Sequence, residues 1–189
     1  EVLLGEKPDC VVLYGDTNST LAGAIAAAKL HFPVIHIEAG LRSFNKTMPE
    51  ELNRIISDHA STLLFAPTNS AFKNLMNEGF RPENSPPYTI DNPKIYLTGD
   101  IMYDNALFYA ELAERKKSGF HKSIQVKREE FVLVTIHREI NTDDISRLET
   151  LMLTLNALAR DHSIPFVMPL HPRTTLSLRT RLESLYNDL

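Results

Sequence analysis

One cysteine, no tryptophan and only seven glycines occur in the 189 residues. A single cysteine cannot form an internal disulfide, and Cys10 opens a valine-rich run that reads as a core strand. No apolar stretch approaches the roughly 18 residues that a membrane-spanning helix needs. The first residues show no secretory leader pattern, so a reducing, cytoplasmic setting is the expectation. The scarce glycines form no GxGxxG fingerprint, no phosphate-binding P-loop and no GxSxG elbow. Dinucleotide enzymes, P-loop NTPases and triad hydrolases are therefore disfavoured. The net charge is −4, from 24 acidic and 20 basic residues, which gives no electrostatic footprint for nucleic acid or an anionic membrane. No histidine spacing marks a metal site, and none is expected.

What the chain does contain is an alternation of strand-like and helical segments. Strand signals fall on residues 10–15, 33–39, 62–68 and 94–100, and helical patterns fill the intervals. The Thr17-Asn18-Ser19-Thr20 cluster offers N-caps for an alanine-rich helix that Pro33 ends. Pro49 suits a first helical turn, with Leu52, Ile55, Ile56 and His59 as the apolar face of the helix. Gly79 closes the next helix, and residues 81–93, rich in Pro and Asn, form a loop. A polar stretch then separates a second set: strands FVLVTI and PFVMPL, and helices over 145–162 and 174–189. The expected division is a first α/β domain over 1–120, a linker over 121–130 and a second domain over 131–189, each with a parallel sheet.

Several apolar runs stop at an ionisable residue. CVVLYGD ends at Asp16, VIHIEAG carries Glu38, FVLVTIHR reaches His137 and PFVMPLHP reaches His171. Ligands of open parallel sheets bind beyond the carboxyl ends of the strands, so these four are site candidates. Strand-end polar residues also start turns and cap helices, and capping is the competing role for Asp16. Glu50 and Arg54 stand four apart on one helix, with Asp58 a turn further, a pattern also met on solvated salt-bridge faces. Paired carboxylates in a cleft can separate their pKa values into a base and an acid. Arg138, next to His137, has the planar fork that suits phosphate. His31, His36, His59, His121 and His162 read as structural or surface groups.

The segment YGDTNSTLAGAIAAAKLHFPVIHIEAGLRSFNKTMPEELNR closely resembles the non-hydrolysing UDP-N-acetylglucosamine 2-epimerases, and LTGDIMYDNAL, VTIHREINTDD and MPLHPRT extend the likeness. The resemblance implies a GT-B fold of two Rossmann-like domains, here incomplete at both ends. It implies interconversion of UDP-GlcNAc and UDP-ManNAc: the C2 proton is removed, UDP is eliminated to leave a 2-acetamidoglucal, and UDP adds back as a proton arrives on the other face. No redox cofactor is required. By the same resemblance Asp16, Glu38, Glu50 and His137 are the catalytic residues, and Arg138, Asn53, Arg54 and His171 are substrate-binding or supporting groups. A homodimer supplying surface-polysaccharide precursors is implied for the whole protein.

Ile140 stands where family members commonly carry Glu, and His171-Pro172-Arg173-Thr174 replaces an HxNP-like sequence. The family's first strand and its UDP-gripping carboxyl-terminal segment have no counterpart in these residues, so the 189 residues alone are expected to turn over little substrate. Two alternatives stay open: a 2-epimerase of a diacetamido-uronate UDP sugar, and a non-catalytic nucleotide-sugar-binding domain.

Overall fold

Four β-branched and aromatic runs make the first sheet. In the computed structural model, which describes residues 1–116, 126–127 and 130–187, a short helix α1 (Val2–Glu6) precedes β1 (Val11–Tyr14). β2 (Val34–Ile37), β3 (Leu63–Ala66) and β4 (Lys94–Leu97) follow, all parallel, in the spatial order β1-β2-β3-β4. Helices α2 (Asn18–Lys29), α3 (Pro49–His59) and α4 (Asn69–Asn77) connect them, and α5 (Ile101–Lys116) follows β4. The Thr17 hydroxyl accepts the Thr20 N–H at 3.2 Å, so α2 starts three residues before its alanine-rich run. α4 ends as its glycine forecasts: Gly79 has φ 99° and the Phe80 N–H returns to the Leu75 carbonyl at 3.1 Å.

The core of this sheet packs Ala39, Leu64, Ala66, Ala71, Leu75, Phe80 and Ile95 between α4 and the strands. Cys10 is exposed, because β1 begins only at Val11, which corrects the core assignment. The buried residues of α3 are Glu51, Asn53, Ser57 and Asp58, whereas Leu52 and Ile56 are exposed. The expected apolar face is thus not the buried one, because Glu51, Asn53 and Asp58 turn inward to partners at Ser43, Asp16, His36 and Arg42.

The second sheet pairs β5 (Val132–Leu133) with β6 (Phe166–Val167) in parallel. Both strands are shorter than their apolar runs, since Val134 makes the last ladder bond, to the Val167 carbonyl at 2.9 Å. α6 (Glu139–Thr142) and α7 (Ile145–His162) lie between them. The expected final helix divides at Leu182 into α8 (Pro172–Arg181) and α9 (Glu183–Asn187). Leu148, Met152 and Leu178 form the small core of this second set.

The chain separates into two compact units, Glu1–Leu112 and Ala113–Leu189. Most of the expected linker, 121–130, lies outside the described residues. Among the described residues, no helix is long and apolar enough to cross a membrane.

Candidate active site

In the first unit the acidic residues gather at the carboxyl ends of the strands. Gly15 and Asp16 follow β1, Glu38 follows β2, and Thr98, Gly99 and Asp100 follow β4. A cleft of about 240 Å³ opens against Glu38, with Ile37, Phe65, Pro67 and Ile101 as apolar wall and Asp100 and Asp104 as further carboxylates. The chain turns sharply at Glu38, which holds φ 76°, a left-handed conformation that non-glycine residues seldom adopt. The Phe65 carbonyl fixes it by accepting both the Glu38 N–H at 3.1 Å and the Ala39 N–H at 3.0 Å. Burial and the neighbouring charges of Asp16 and Asp100 push the Glu38 carboxyl above the usual carboxylate range; His36 and Arg54 oppose this less strongly.

α3 supplies the supports. Asn53 donates to the Asp16 carbonyl at 2.8 Å and to the Asn18 side-chain oxygen at 3.0 Å. Arg54 donates to Asp16 Oδ2 at 2.5 Å and to Glu51 Oε2 at 3.2 Å. The pairing anticipated between Arg54 and Glu50 is replaced by these two partners; Glu50 itself is exposed in the first turn of α3. Both Asn53 and Arg54 are thereby committed to the Asp16 turn. Glu51 is buried and accepts from the Ser43 N–H, the Ser43 hydroxyl and the Phe44 N–H at 2.8, 3.0 and 2.9 Å. Burial alone would raise its pKa, but these donors and Arg54 hold it below the ordinary value.

Asp58, a turn beyond Arg54 on α3, is fully buried and carries an ion-pair chain. Its Oδ1 meets His36 Nδ1 at 2.6 Å, and its Oδ2 meets the Gly40 N–H at 3.0 Å and Arg42 Nη2 at 2.8 Å. His36 Nε2 donates to the Gly15 carbonyl at 2.8 Å. Both ring nitrogens therefore face acceptors, which is the pattern of an imidazolium. Burial works against that charge, yet the Asp58 carboxylate and the Gly15 carbonyl outweigh it and raise the His36 pKa. Arg42 continues the chain to Glu78 through two bonds of 2.7 Å.

The second unit sets His137, Arg138 and His171 beyond β5 and β6. All three are exposed. The buried Thr174 hydroxyl donates to the Ile136 carbonyl at 2.8 Å and fixes the residue before His137. The Arg138 carbonyl accepts the Asn141 and Thr142 N–H groups at 2.9 and 3.2 Å, which starts α6. His171 caps α8, its Nδ1 accepting the Arg173 N–H at 3.3 Å. Arg173 bridges to Glu139 at 2.7 Å and Asp143 at 3.0 Å. Ile140 is exposed beside them.

Sequence reasoning overlooked two features. Asp100 ends the run KIYLTGD and obeys the same strand-end rule as Asp16, so the signal was present. The His36–Asp58–Arg42 chain had no local signal, since its members lie 22 and 16 residues apart and meet only through the crossover from β2 to α3. Among the described residues no three His, Cys, Asp or Glu side chains are arranged to hold a metal ion.

Two parallel sheets, each with its ionisable residues at the carboxyl ends of the strands, define an α/β protein of the GT-B type. The whole chain, residues 1–189, matches the sequence profile of the UDP-N-acetylglucosamine 2-epimerase family, and the chain belongs to that family. It is 49% identical over 174 residues to UDP-2,3-diacetamido-2,3-dideoxy-D-glucuronate 2-epimerase of Pseudomonas aeruginosa, covering 92% of the chain and 45% of the relative. It is 39% identical over 181 residues to UDP-N-acetylglucosamine 2-epimerase of Methanocaldococcus jannaschii, covering 95% and 46%. Its structure resembles that of the M. jannaschii UDP-GlcNAc 2-epimerase in complex with UDP-GlcNAc and UDP, with a TM-score of 0.82 at 38% identity over 100% of this chain and 48% of that one. The Neisseria meningitidis UDP-GlcNAc 2-epimerase bound to UDP-GlcNAc gives a TM-score of 0.78 at 32% identity, over 98% and 49%. The chain thus spans about half the length of the relatives that it matches.

Proposed function

We propose that the protein carrying this chain is a non-hydrolysing 2-epimerase of UDP-2-acetamido sugars, interconverting UDP-GlcNAc and UDP-ManNAc. The observation that carries this reading is Glu38: a carboxyl of raised pKa, fixed at a strand end between two further carboxylates, over a cleft with an apolar wall. The C–H of the acetamido-bearing C2 is a weak acid, and a base of raised pKa removes its proton more readily than an ordinary carboxylate does. Glu38 takes the C2 proton; the C1–oxygen bond to UDP breaks as the C1–C2 double bond forms, leaving 2-acetamidoglucal and UDP. In the return step UDP re-forms its bond to C1 while a proton is delivered to the other face of C2. Asp16 or Glu50 serves that second face, because inversion needs a proton donor on each side. Asn53 and Arg54 hold the Asp16 turn, which supports a positioning role for both. Of the second unit, His137, Arg138 and His171 have the exposed cationic or hydrogen-bonding chemistry that suits a diphosphate leaving group.

A second substrate has specific support. The P. aeruginosa relative acts on a diacetamido-glucuronate UDP sugar and is 49% identical to this chain. The two sugars share the acetamido group at C2 and differ at C3 and C6, so the same proton transfers serve both. Incubating the protein of the complete reading frame with each UDP sugar, and following the C2 epimer by proton NMR, tests the reading. Epimer from UDP-GlcNAc is the expected outcome. Epimer from the diacetamido-uronate alone would reassign the substrate, and none from either would refute the function.

A further inference from the structure

We propose that Asp58 and His36 form a positioning pair that sets the backbone of Glu38 and its distance from the Asp16 turn. This rests on the assignment of Glu38 as the base. Asp58 clasps the chain on both sides of Glu38: Oδ1 holds His36, two residues before it, and Oδ2 holds the Gly40 N–H, two residues after. The bonds are 2.6 and 3.0 Å, and both acidic and imidazole side chains are fully buried. Between the two anchors the backbone passes through the left-handed conformation of Glu38. A residue held in such a region persists only where its surroundings over-determine it, and the clasp is one of the groups that do so.

His36 extends the clasp to the other carboxylate. Its Nε2 donates to the Gly15 carbonyl at 2.8 Å, immediately before Asp16. Gly15 in turn lies against the base: a Cβ added there would stand 3.3 Å from Glu38 Oε2. One rigid two-donor ring therefore ties the strand that carries Glu38 to the turn that carries Asp16. Arg42, paired to Asp58 Oδ2 at 2.8 Å, holds the carboxylate from the far side. None of these groups lines the cleft beside Glu38, so the pair acts through Glu38 rather than on substrate.

The experiment compares the protein of the complete reading frame with its Asp58→Ala, Asp58→Asn and His36→Gln variants, each checked for folding by circular dichroism at the assay temperature. Loss of the clasp in Asp58→Ala lowers kcat about 10- to 100-fold with KM changed less than about threefold, as for other groups that orient an acting residue. Asp58→Asn keeps an acceptor for the Gly40 N–H and recovers part of that loss. The glutamine side chain in His36→Gln offers one donor nitrogen in place of two. That variant therefore falls between the other two and keeps the test open if Asp58→Ala does not fold. A folded variant set with unchanged kcat overturns the pair. A carbon-13 titration of the Glu38 carboxyl stands apart from turnover. His36→Gln removes the imidazolium that holds it down and moves its midpoint further up. A midpoint that stays in place while only the melting temperature falls also overturns the pair. If the unaltered protein has no epimerase activity, the functional reading fails and this titration alone decides the pair.

Discussion

At the scale of single residues, three positions of the first unit differ in what a substitution costs. Gly40 has φ 79°, and a Cβ there would lie 2.3 Å from the Ala71 carbonyl oxygen. Gly79 has φ 99° but meets nothing within 4 Å. Gly40→Ala is therefore expected to lose more than about 3 kcal/mol, combining left-handed strain with a backbone clash, and Gly79→Ala about 1 kcal/mol from strain alone. Urea denaturation of both variants checks the contrast. Glu38→Gln removes the proposed base and keeps the shape of the side chain, so the fold is expected to be retained while kcat falls about 10²- to 10⁴-fold. The strand-end rule picks out Asp16 and Glu38 from position along the chain, and the structure places both just beyond the carboxyl ends of β1 and β2. It could not give the left-handed turn at Glu38, which depends on the Phe65 carbonyl and on Asp58, residues distant in sequence.

Among elements, α3 organises the site. Its Pro49 start was legible, because proline at the first turn is a local preference. Its orientation was not, because hydrophobic periodicity turns Leu52 and Ile56 inward while the structure buries Glu51, Asn53, Ser57 and Asp58. Four charged or polar groups gathered on one face outweigh the transfer of two aliphatic side chains, since an unpaired buried charge costs several kcal/mol. This face and the β2 histidine that it holds make stability depend on pH from both sides. Glu51 has a lowered folded pKa, so its contribution is present above its ordinary value of 4.5 and is lost as pH falls through the lowered one. His36 has a raised folded pKa, so its contribution is present below 6.5 and is lost as pH rises through the folded value. Thermal melts across pH should show a maximum between these limits. Glu51→Gln should cost about 2–3 kcal/mol at neutral pH and flatten the acid side of the curve. An acid limb unchanged in that variant would remove Glu51 as its cause. In the second unit, strand length was the feature least legible: FVLVTI and PFVMPL are apolar but for Thr135, and only the ladder bonds show that two residues of each are strand.

For the whole molecule, the alternation of strands and helices was enough to give parallel α/β architecture, because crossover connections leave few other topologies. The chain spans about half of its relatives, and the first unit leaves apolar side chains open: Val12 and Tyr14 on β1, and Met102, Leu107 and Phe108 on α5. Open patches of this kind drive association. Sedimentation of the 189-residue chain should show concentration-dependent self-association, reduced by the double substitution Leu107→Glu and Phe108→Glu. A monomer across the accessible range would contradict it.

In the proposed reaction the Glu38 carboxylate exchanges the proton at the sugar's C2. Turnover of UDP-GlcNAc in deuterium oxide, read by mass spectrometry and proton NMR on the protein of the complete reading frame, tests it most directly. Both epimers should gain one deuterium at C2, and Glu38→Gln should abolish the gain while remaining folded. Epimerisation without deuterium at C2, or incorporation undiminished in Glu38→Gln, would contradict the account.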